Sequence, residues 1–401
     1  MSETTSGGRG SRPLDVVFFY RASESFGGGS QMLLRLIEGL DPDRFDVTVL
    51  SQFEDDLCRR AEAAGVTVSI VPYRGTLDVY DRGLLSQPFY KKIASVGRLL
   101  QFNVEAREVL SSADVIWCDC LRSLLTISPY SVRPSTPVIW NIGLGYKSTG
   151  TRRHLNRVAL TVADHVFIES DEQARRIFTE KQYRNNRGQF TIFHKGIDTE
   201  RFSPRVSNGG SDSGDLTVGT AASITPRKGH EYLVDAASRL LERRDDVRFM
   251  IAGEVANESD REYEQALKRR IERAGIKDRI QFLGWVEDMP TYLDSLDVFV
   301  LPSLNEGIPG AVREALSMAV PVVATDVGGT AEVVVDGETG YLVQPEDGEQ
   351  LAEAIELLLD DRDRRERMGA AGREWIVEEF SVEQYVEKYE AFLSRIAGRS
   401  A

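Results

Sequence analysis

The stretch LDVVFFYRASESFGGGSQMLLRLIEGL, residues 14–40, carries the clearest structural pattern in the first half of the chain. Its first seven residues, Leu14–Tyr20, form an apolar run bounded by polar residues, which is typical of a buried strand. Three glycines follow at 27–29, and apolar side chains then recur at helical spacing over residues 30–40. Strand, glycine loop and helix in this order predict an α/β domain that starts on a parallel strand.

Further apolar runs of strand length alternate with helical sequence up to residue 193. They lie at 45–50, 66–71, 114–117, 137–141, 165–169 and 189–193. Because strands that alternate with helices form parallel sheets with crossover connections, we expect one Rossmann-like, doubly wound domain here.

The same pattern restarts after residues 207–214, SNGGSDSG, a polar segment typical of a flexible linker. The second series of strand-like runs lies at 216–221, 247–252, 280–283, 298–301, 322–324 and 340–343. Residues 382–396 then carry an apolar stripe at helical spacing. We therefore predict a disordered tail at 1–12, a first domain at 13–206, a linker at 207–214, a second domain at 215–380 and a last helix at 381–401.

Bulk composition limits the classes of function. A chain of 401 residues is long enough for two cores, and a net charge of −14 disfavours nucleic-acid partners, because an acidic surface repels phosphates. The cysteine pair Cys118 and Cys120 is spaced by one residue, unlike redox or zinc motifs, and the four histidines lack metal-ligand spacing. No apolar run reaches the roughly 18 residues of a membrane span and the first 13 residues are polar, so we expect a cytoplasmic protein.

Two glutamates stand out in residues 302–334, PSLNEGIPGAVREALSMAVPVVATDVGGTAEVV. A helix starting near Gly307 or Ile308 would place its amides beside Glu306, with Glu314 just over two turns further on. A helix N-terminus behind a glycine suits a phosphate, and carboxylates suit sugar hydroxyls as acceptors. In the alternative interpretation Glu306 only caps the helix dipole and Glu314 lies on a solvated face.

This stretch resembles the paired-glutamate signature of a large retaining glycosyltransferase family with the GT-B fold, glycosyltransferase family 4. Gly328, Gly329 and Glu332 resemble its Gly-Gly-x-x-Glu turn, and residues 282–286 resemble its nucleobase loop. Residues 195–202 are similar to the turn that closes its first domain, and residues 27–40 to the glycine loop under the donor phosphates. The resemblance implies two Rossmann-like domains facing each other across a cleft, with the C-terminal helix crossing back to the first domain.

The resemblance also implies roles for individual residues. Glu314 would accept hydrogen bonds from the donor ribose, Glu306 would hold hydroxyls of the donor sugar, and Lys228 would neutralise the departing diphosphate without a metal. The catalytic set implied in this way is Glu306, Lys228 and Arg227. The donor-binding set is Gly28, Gly29, Ser223, Arg227, Lys228, Val286, Glu306, Gly307, Ile308, Pro309 and Glu314.

The sequence departs from the family pattern at two positions. Ser223 stands where the family usually has an arginine, five residues before Lys228, and Arg227 is the candidate replacement. A glycine in 137–145 stands where the family often has a histidine, so Asn141 is the expected acceptor-side contact. Neither change removes a nucleophile if the acceptor attacks on the face from which the diphosphate leaves. A double displacement through a carboxylate stays open at this point.

The resemblance implies a retaining, metal-independent hexosyltransferase without a cofactor. Its donor would be a UDP- or GDP-sugar, and its acceptor a glycan, a lipid-linked molecule or a small molecule. The alternative is an inactive nucleotide-sugar-binding subunit that activates a partner transferase. A dinucleotide-dependent oxidoreductase is disfavoured, because the glycines at 27–29 lack the G-x-G-x-x-G spacing.

Residues 89–100, FYKKIASVGRLL, combine bulky apolar and basic side chains in an acidic protein. Lys147, Arg152, Arg153 and Arg157 add positive charge nearby in the sequence. Such a helix could lie on an anionic membrane and collect a lipid-linked acceptor. The alternative is a helix packed on the first domain with its basic face in water.

Overall fold

Two parallel sheets, each within its own structural unit, organise the chain. The computed structural model describes residues 12–21, 28–72, 89–128, 136–143, 151–205, 214–255 and 257–398. The first unit comprises Met1–Phe193 with Tyr385–Ala401, and the second comprises His194–Gln384. Of the tail and the linker expected at 1–12 and 207–214, only Arg12 and Gly214 lie inside the described residues.

The first unit is built on a sheet of seven parallel strands over the residues described. In chain order they are β1 (Leu14–Tyr20), β2 (Phe45–Ser51), β3 (Thr67–Ile70), β4 (Val115–Cys118), β5 (Val138–Asn141), β6 (His165–Ile168) and β7 (Phe190–Ile192). Their order across the sheet is β3-β2-β1-β4-β5-β6-β7. The strand positions predicted from apolar runs are confirmed, and the order reverses between β1 and β4, a switch point of a doubly wound sheet.

Helices connect these strands. They are α1 (Gly28–Gly39), α2 (Asp56–Ala63), α3 (Phe89–Glu105), α4 (Arg107–Ser112), α5 (Leu121–Thr126), α6 (Thr151–Val162), α7 (Asp171–Ile177) and α8 (Glu180–Asn185). The helix α1 begins two residues before the predicted start at Ser30. Its buried residues Leu33, Leu36 and Ile37 follow the helical spacing that the sequence predicts.

The second unit repeats the architecture with six parallel strands along its described part. These are β8 (Leu216–Ala221), β9 (Val247–Ala252), β10 (Ile280–Gly284), β11 (Val298–Leu301), β12 (Val322–Thr325) and β13 (Gly340–Val343). Their order is β10-β9-β8-β11-β12-β13, with the reversal between β8 and β11. The connecting helices are α9 (His230–Leu241), α10 (Glu258–Ala274), α11 (Met289–Asp294), α12 (Gly310–Ser317), α13 (Gly348–Asp360) and α14 (Arg362–Phe380).

The strand β11 shows why these strands read as continuous apolar runs. Val298 and Val300 belong to one hydrophobic core of the second unit, whereas Phe299 and Leu301 belong to another. Successive side chains of a strand point to opposite faces, so both faces of the sheet are covered. A parallel sheet buried in this way leaves its loops at the carboxyl ends of the strands to carry polar side chains.

The last helix, α15 (Val382–Ile396), has the bounds predicted from its apolar stripe. From Tyr385 onward it belongs to the first unit, as the resemblance implied for the C-terminal helix. The indole Nε1 of Trp117 donates a 2.8 Å hydrogen bond to the hydroxyl of Tyr389, and the ring of Phe392 meets that of Phe167 at a centroid distance of 4.8 Å. Among the described helices, none combines the length and the apolar character that a bilayer span requires.

One prediction for the second unit was wrong. The helix α12 begins at Gly310, with Pro309 as its N-cap in extended conformation, and not near Gly307 or Ile308. Proline disfavours helical geometry in the residue before it, here Ile308. The carbonyl oxygen of Gly307 also accepts a 2.8 Å hydrogen bond from the amide of Gly329. Glu306 therefore lies in a loop before the helix, and Glu314 lies only about one turn into it.

Candidate functional site

The loops that follow β8 and β11 run side by side, because these two strands pair across the reversal of the sheet. The amide of Leu304 donates a 2.8 Å hydrogen bond to the carbonyl oxygen of Arg227. Arg227 lies in a 3₁₀ turn, Pro226–Lys228, whose proline fixes the first dihedral of the turn. Residues 77 positions apart in sequence are brought together in this way.

Gly229 allows this close approach. It has a left-handed conformation with φ of +64°, and an added Cβ would overlap the carbonyl oxygen of Pro302. Only glycine meets both conditions, because left-handed geometry and lack of space each disfavour a side chain. The residue before it, Lys228, is consequently held against the loop that carries Glu306.

Lys228 and Glu306 form the central ion pair of the site. The ammonium Nζ of Lys228 donates to Oε1 of Glu306 at 2.6 Å, and the side chains are only 15% and 8% exposed. A charge buried to this degree needs its partner, since removing either one leaves the other desolvated. Each group therefore compensates the charge of the other.

Arg227 adds a second positive charge at the rim. Its Nη1 lies 3.9 Å from Oε2 of Glu306 and donates a 2.9 Å hydrogen bond to the carbonyl oxygen of Asn305. Its side chain is 52% exposed, so it can move when a ligand arrives. Ser223 lies in the same loop after β8 as Arg227, and it is half-buried.

The residues after Glu306 form a short loop, and residues 306–309 are called the donor loop below. Gly307 is exposed, Ile308 is half-buried and Pro309 is buried. The loop ends at the N-terminus of α12, whose first amides have no side-chain cap. Free helix amides and a neighbouring lysine are suited to bind an anion such as a phosphate group.

Glu314 is half-buried on α12. Burial raises the pKa of its carboxyl group above the ordinary value of 4.5, and the positive charges of Arg313 and Arg201 oppose this shift only in part. A desolvated carboxylate near a ligand site favours a partner that donates hydrogen bonds, such as a pair of hydroxyl groups.

The raised pKa of Glu314 makes a prediction for stability. A carboxyl group with a higher pKa in the folded chain favours folding below its unfolded pKa and opposes folding as the pH rises through the folded pKa. We expect Glu314→Gln to raise the melting temperature at about pH 8, with a difference that shrinks as the pH falls toward 5. Thermal denaturation followed by circular dichroism measures it, and a difference that grows on acidification would contradict the assignment.

Val286, the expected nucleobase contact, lies in the loop after β10. It is half-buried and packs on one core of the second unit. Its neighbour Trp285 is 72% exposed, and the sequence analysis did not single it out as a site residue. The exposed indole gives a flat apolar surface, on which an aromatic base could stack.

The remaining predicted residues lie in the first unit. Gly28 and Gly29 begin α1, and a Cβ at Gly29 would meet no atom within 4 Å. Asn141 ends β5 and is half-buried. The predicted glycine at 27 and Lys147 lie outside the described residues.

Sequence reasoning missed two further polar groups. Asp119 follows β4 at the reversal of the first sheet, where it accepts a 3.0 Å hydrogen bond from the amide of Arg21, and burial raises the pKa of its carboxyl group. His230 follows the Gly229 turn, is fully buried, and has no hydrogen-bond partner on either ring nitrogen within the described residues. Burial and the charge of Lys228 lower the pKa of His230 to about 4, so it is neutral at physiological pH. A single isolated histidine gave no signal in the sequence.

Metal binding has no evident centre in the part of the chain that the structure describes. No group of three or more histidine, cysteine, aspartate or glutamate side chains there has the arrangement of a metal site. The charged groups of the site are Lys228 and Arg227, and each of them pairs with Glu306.

Comparison with known proteins gives a family match for part of the chain. Residues 206–375 match the family described as Glycosyl transferases group 1. The lipopolysaccharide core biosynthesis mannosyltransferase LpsB of Rhizobium meliloti is 35% identical over 202 residues, which cover 48% of this chain and 57% of that protein. A GDP-mannose-dependent α-(1-6)-phosphatidylinositol monomannoside mannosyltransferase of Mycobacterium tuberculosis is 30% identical over 213 residues, 49% of this chain and 54% of that protein. The chain thus spans about half the length of these relatives.

Solved structures extend the likeness to both units. HepE of Anabaena in complex with UDP matches with a TM-score of 0.73 at 19% identity, and the match covers 95% of this chain and 100% of HepE. A glycosyltransferase of Rickettsia africae has a TM-score of 0.75 at 15% identity, with 97% and 100% covered. Identities this low establish a shared fold, the two-unit GT-B fold, and nothing further.

Proposed function

We propose that this chain, which has the GT-B fold and whose residues 206–375 match the group 1 glycosyltransferase family, is a retaining glycosyltransferase. It would transfer a hexose from a UDP- or GDP-sugar. The observation that carries the proposal is the buried Lys228–Glu306 pair at the reversal point of the second sheet. In doubly wound domains this point is where nucleotide ligands bind.

In this proposal the ion pair opens when the donor enters. Lys228 turns from Glu306 to the diphosphate, and Glu306 then accepts hydrogen bonds from hydroxyls of the sugar. Negative charge grows on the diphosphate as the bond from the anomeric carbon to its oxygen breaks, and the fixed ammonium stabilises it. Because Glu306 exchanges one set of donors for another, it is never left buried and unpaired.

The reaction would proceed on one face of the sugar. The acceptor hydroxyl bonds to the anomeric carbon on the face from which the diphosphate departs, and its proton passes to an oxygen of the departing diphosphate. Atoms and charge balance without a covalent enzyme intermediate. Glu306 and Lys228 act by positioning and by charge, which is sufficient when the leaving group is a stabilised anion.

Other residues would complete the donor site. Glu314 is proposed to accept hydrogen bonds from the ribose hydroxyls, as its half-buried carboxylate at the first turn of α12 allows. Arg227, which reaches within 3.9 Å of Glu306, is proposed to supply the charge that Ser223 lacks. The remaining proposed donor contacts are Ser223, Val286, Gly307, Ile308, Pro309, Gly28 and Gly29. Asn141 is proposed for the acceptor side.

The acceptor is proposed to be a glycan or a lipid-linked molecule, with a small molecule as the remaining possibility. Names of relatives support these classes, since one acts in lipopolysaccharide core biosynthesis and another on a phosphatidylinositol monomannoside. An α-D-kanosaminyltransferase of Streptomyces kanamyceticus, 36% identical over 147 residues, represents the small-molecule case.

Metal independence is part of the proposal. Lys228 and Arg227 would supply the positive charge that a divalent ion supplies in other transferases, and the free amides of α12 would add to it. The alternative of an inactive nucleotide-sugar-binding subunit has little support, because the matched relatives are named as transferases and Glu306, Glu314 and Lys228 are all present.

The test is donor turnover by the purified chain alone. The chain is incubated with UDP-glucose or GDP-mannose and EDTA, and released nucleotide and sugar are followed by proton NMR. We expect turnover with one donor, unaffected by EDTA, and a first product with the α configuration of the donor. A β product would contradict retention, activity restored only by magnesium would contradict metal independence, and activity only with a partner protein would favour the inactive-subunit alternative.

Contact with an anionic membrane is a separate proposal for the first unit. On α3 the side chains of Leu100 and Val104, one turn apart, are 52% and 72% exposed. The first turns of α6 carry exposed Arg153 and Arg157. A location in the cytoplasm, peripheral to the inner face of the membrane, would suit these features and the three free cysteines. We expect co-sedimentation with anionic vesicles at low salt that Leu100→Glu abolishes, and no co-sedimentation of the unmodified chain would defeat this proposal.

A further inference from the structure

The donor loop is supported from one side by the glycine turn that follows β12. The carbonyl oxygen of Gly307 accepts a 2.8 Å hydrogen bond from the amide of Gly329. A Cβ at Gly329 would lie 2.7 Å from that oxygen and would overlap the side chain of Ile308. The donor loop therefore rests directly on the backbone of Gly329, and its position depends on that of the turn.

Glu332 belongs to this turn. It ends the 3₁₀ turn Thr330–Glu332, which has Gly329 as its N-cap, and its Oε1 lies 3.3 Å from the place of a Cβ on Gly329. Its other oxygen, Oε2, is 2.9 Å from Nε2 of His194. The two side chains are 37% and 25% exposed, so solvent screens the pair only in part.

His194 is itself fixed in place. Its ring stacks on that of Phe380 at a centroid distance of 5.2 Å and an angle of 18°. Phe380 is 3% exposed, and its carbonyl oxygen accepts a 2.7 Å hydrogen bond from the amide of Ile197. The indole of Trp375 packs edge-on against Phe380 and donates a 3.0 Å hydrogen bond to the carbonyl oxygen of Val333, next to Glu332. The ring of His194 thus packs on a buried Phe380, which Trp375 supports in turn.

We propose that Glu332 and His194 form a positioning pair for the donor loop. Through Gly329, the pair holds the loop in the conformation that presents Glu306 to the donor sugar. The consequence for catalysis rests on the proposed function. Neither side chain is assigned a contact with the donor. The groups proposed for the nucleotide lie on other elements: Glu314 on α12, and Lys228 on the turn after β8, from which it contacts Glu306.

The pair should therefore affect turnover more than nucleotide binding. A catalytic group displaced by a fraction of an ångström loses rate, whereas the nucleotide keeps its own contacts. We expect Glu332→Ala and His194→Ala each to lower kcat for the preferred donor about tenfold, while the Kd of UDP or GDP changes less than about twofold. The double variant should be no worse than either single one, because all three lose the same interaction.

Conservative and control variants separate positioning from general destabilisation. Glu332→Gln should keep most of the activity, because its amide oxygen still accepts a hydrogen bond from His194. The control is Asp215→Ala, which removes a pair with Arg279 at 3.2 Å whose side chains are each 37% exposed, away from the donor loop. We expect this control to leave kcat unchanged.

Hydrogen exchange gives a readout that does not need activity. The amide of Gly329 should exchange faster in Glu332→Ala and His194→Ala than in the unmodified chain, and at the unmodified rate in Asp215→Ala. Unchanged exchange and unchanged kcat in Glu332→Ala would overturn the proposal, as would a loss of nucleotide affinity equal to the loss of kcat. If the unmodified chain binds no nucleoside diphosphate, the proposed function fails, and exchange at Gly329 still decides whether the pair holds the loop.

Discussion

Replacing Lys228 with alanine is expected to lower sugar transfer by a factor of about 10² to 10³, the usual loss when one fixed group facing a developing negative charge is removed. The diphosphate would then depart without the ammonium that the site aims at it. The same change leaves Glu306, which is 8% exposed, without its closest partner. We therefore also expect a loss of up to about 3 kcal/mol in the free energy of unfolding, moderated by Arg227 nearby.

A second substitution separates these two effects. In the double variant Lys228→Ala with Glu306→Gln the buried carboxylate is neutral, so most of the lost stability should return while activity stays low. The control is Arg261→Ala, which removes the partner of Glu258 at 2.7 Å, an exposed pair in the first turn of α10. It should change stability by less than about 0.5 kcal/mol and leave transfer intact. Full activity in folded Lys228→Ala would refute the role assigned to this lysine.

Replacing Gly229 with alanine is expected to destabilise the second unit by about 3 kcal/mol. The left-handed conformation costs a non-glycine residue roughly 1–2 kcal/mol. Overlap of the new methyl group with the carbonyl oxygen of Pro302 adds a packing cost, which is typically about 1–3 kcal/mol when a rigid neighbour must shift. Any shift that relieves the overlap moves Lys228 away from Glu306, so the folded fraction should also bind donor poorly.

Gly275→Ala is the matched control for this prediction. Gly275 has a similar φ of +72°, but a Cβ there would meet nothing within 4 Å. Only the conformational cost remains, roughly 1–2 kcal/mol. Urea denaturation of both variants measures the difference, and equal losses for Gly229→Ala and Gly275→Ala would show that contact with Pro302 contributes nothing.

The strands could be predicted because both faces of each sheet are buried. Four consecutive apolar residues at Val298–Leu301 are typical of a strand that is buried on both faces, and the observed strand has those bounds. The last helix could also be predicted, because Tyr385, Tyr389 and Phe392 recur at helical spacing among polar residues.

The start of α12 follows only in part from local sequence, in which Pro309 disfavours helical geometry at Ile308. The other contribution is the hydrogen bond from the amide of Gly329 to the carbonyl oxygen of Gly307, a contact between loops that follow different strands. Local propensity gives no information about a backbone carbonyl that is captured by another loop.

The site was predicted as a set of residues but not as a geometry. The family resemblance indicated both Lys228 and Glu306. The distance of 2.6 Å between Nζ of Lys228 and Oε1 of Glu306 follows instead from the pairing of β8 with β11. His194 and Glu332, 138 residues apart, were not connected by any sequence signal. The fully buried His230 was likewise indistinguishable in the sequence from a surface histidine.

We propose that the second unit holds a nucleoside diphosphate through Glu314 and Lys228 without a metal. The most direct test of this proposal is the melting temperature of the purified chain in EDTA with UDP, GDP or ADP, repeated with Glu314→Ala. One diphosphate should raise the melting temperature of the unmodified chain and leave that of the variant unchanged. At a hundredfold excess over its Kd, it should add about 2.7 kcal/mol to the free energy of unfolding. No stabilisation by any diphosphate, or a stabilisation that persists in Glu314→Ala, would contradict the account.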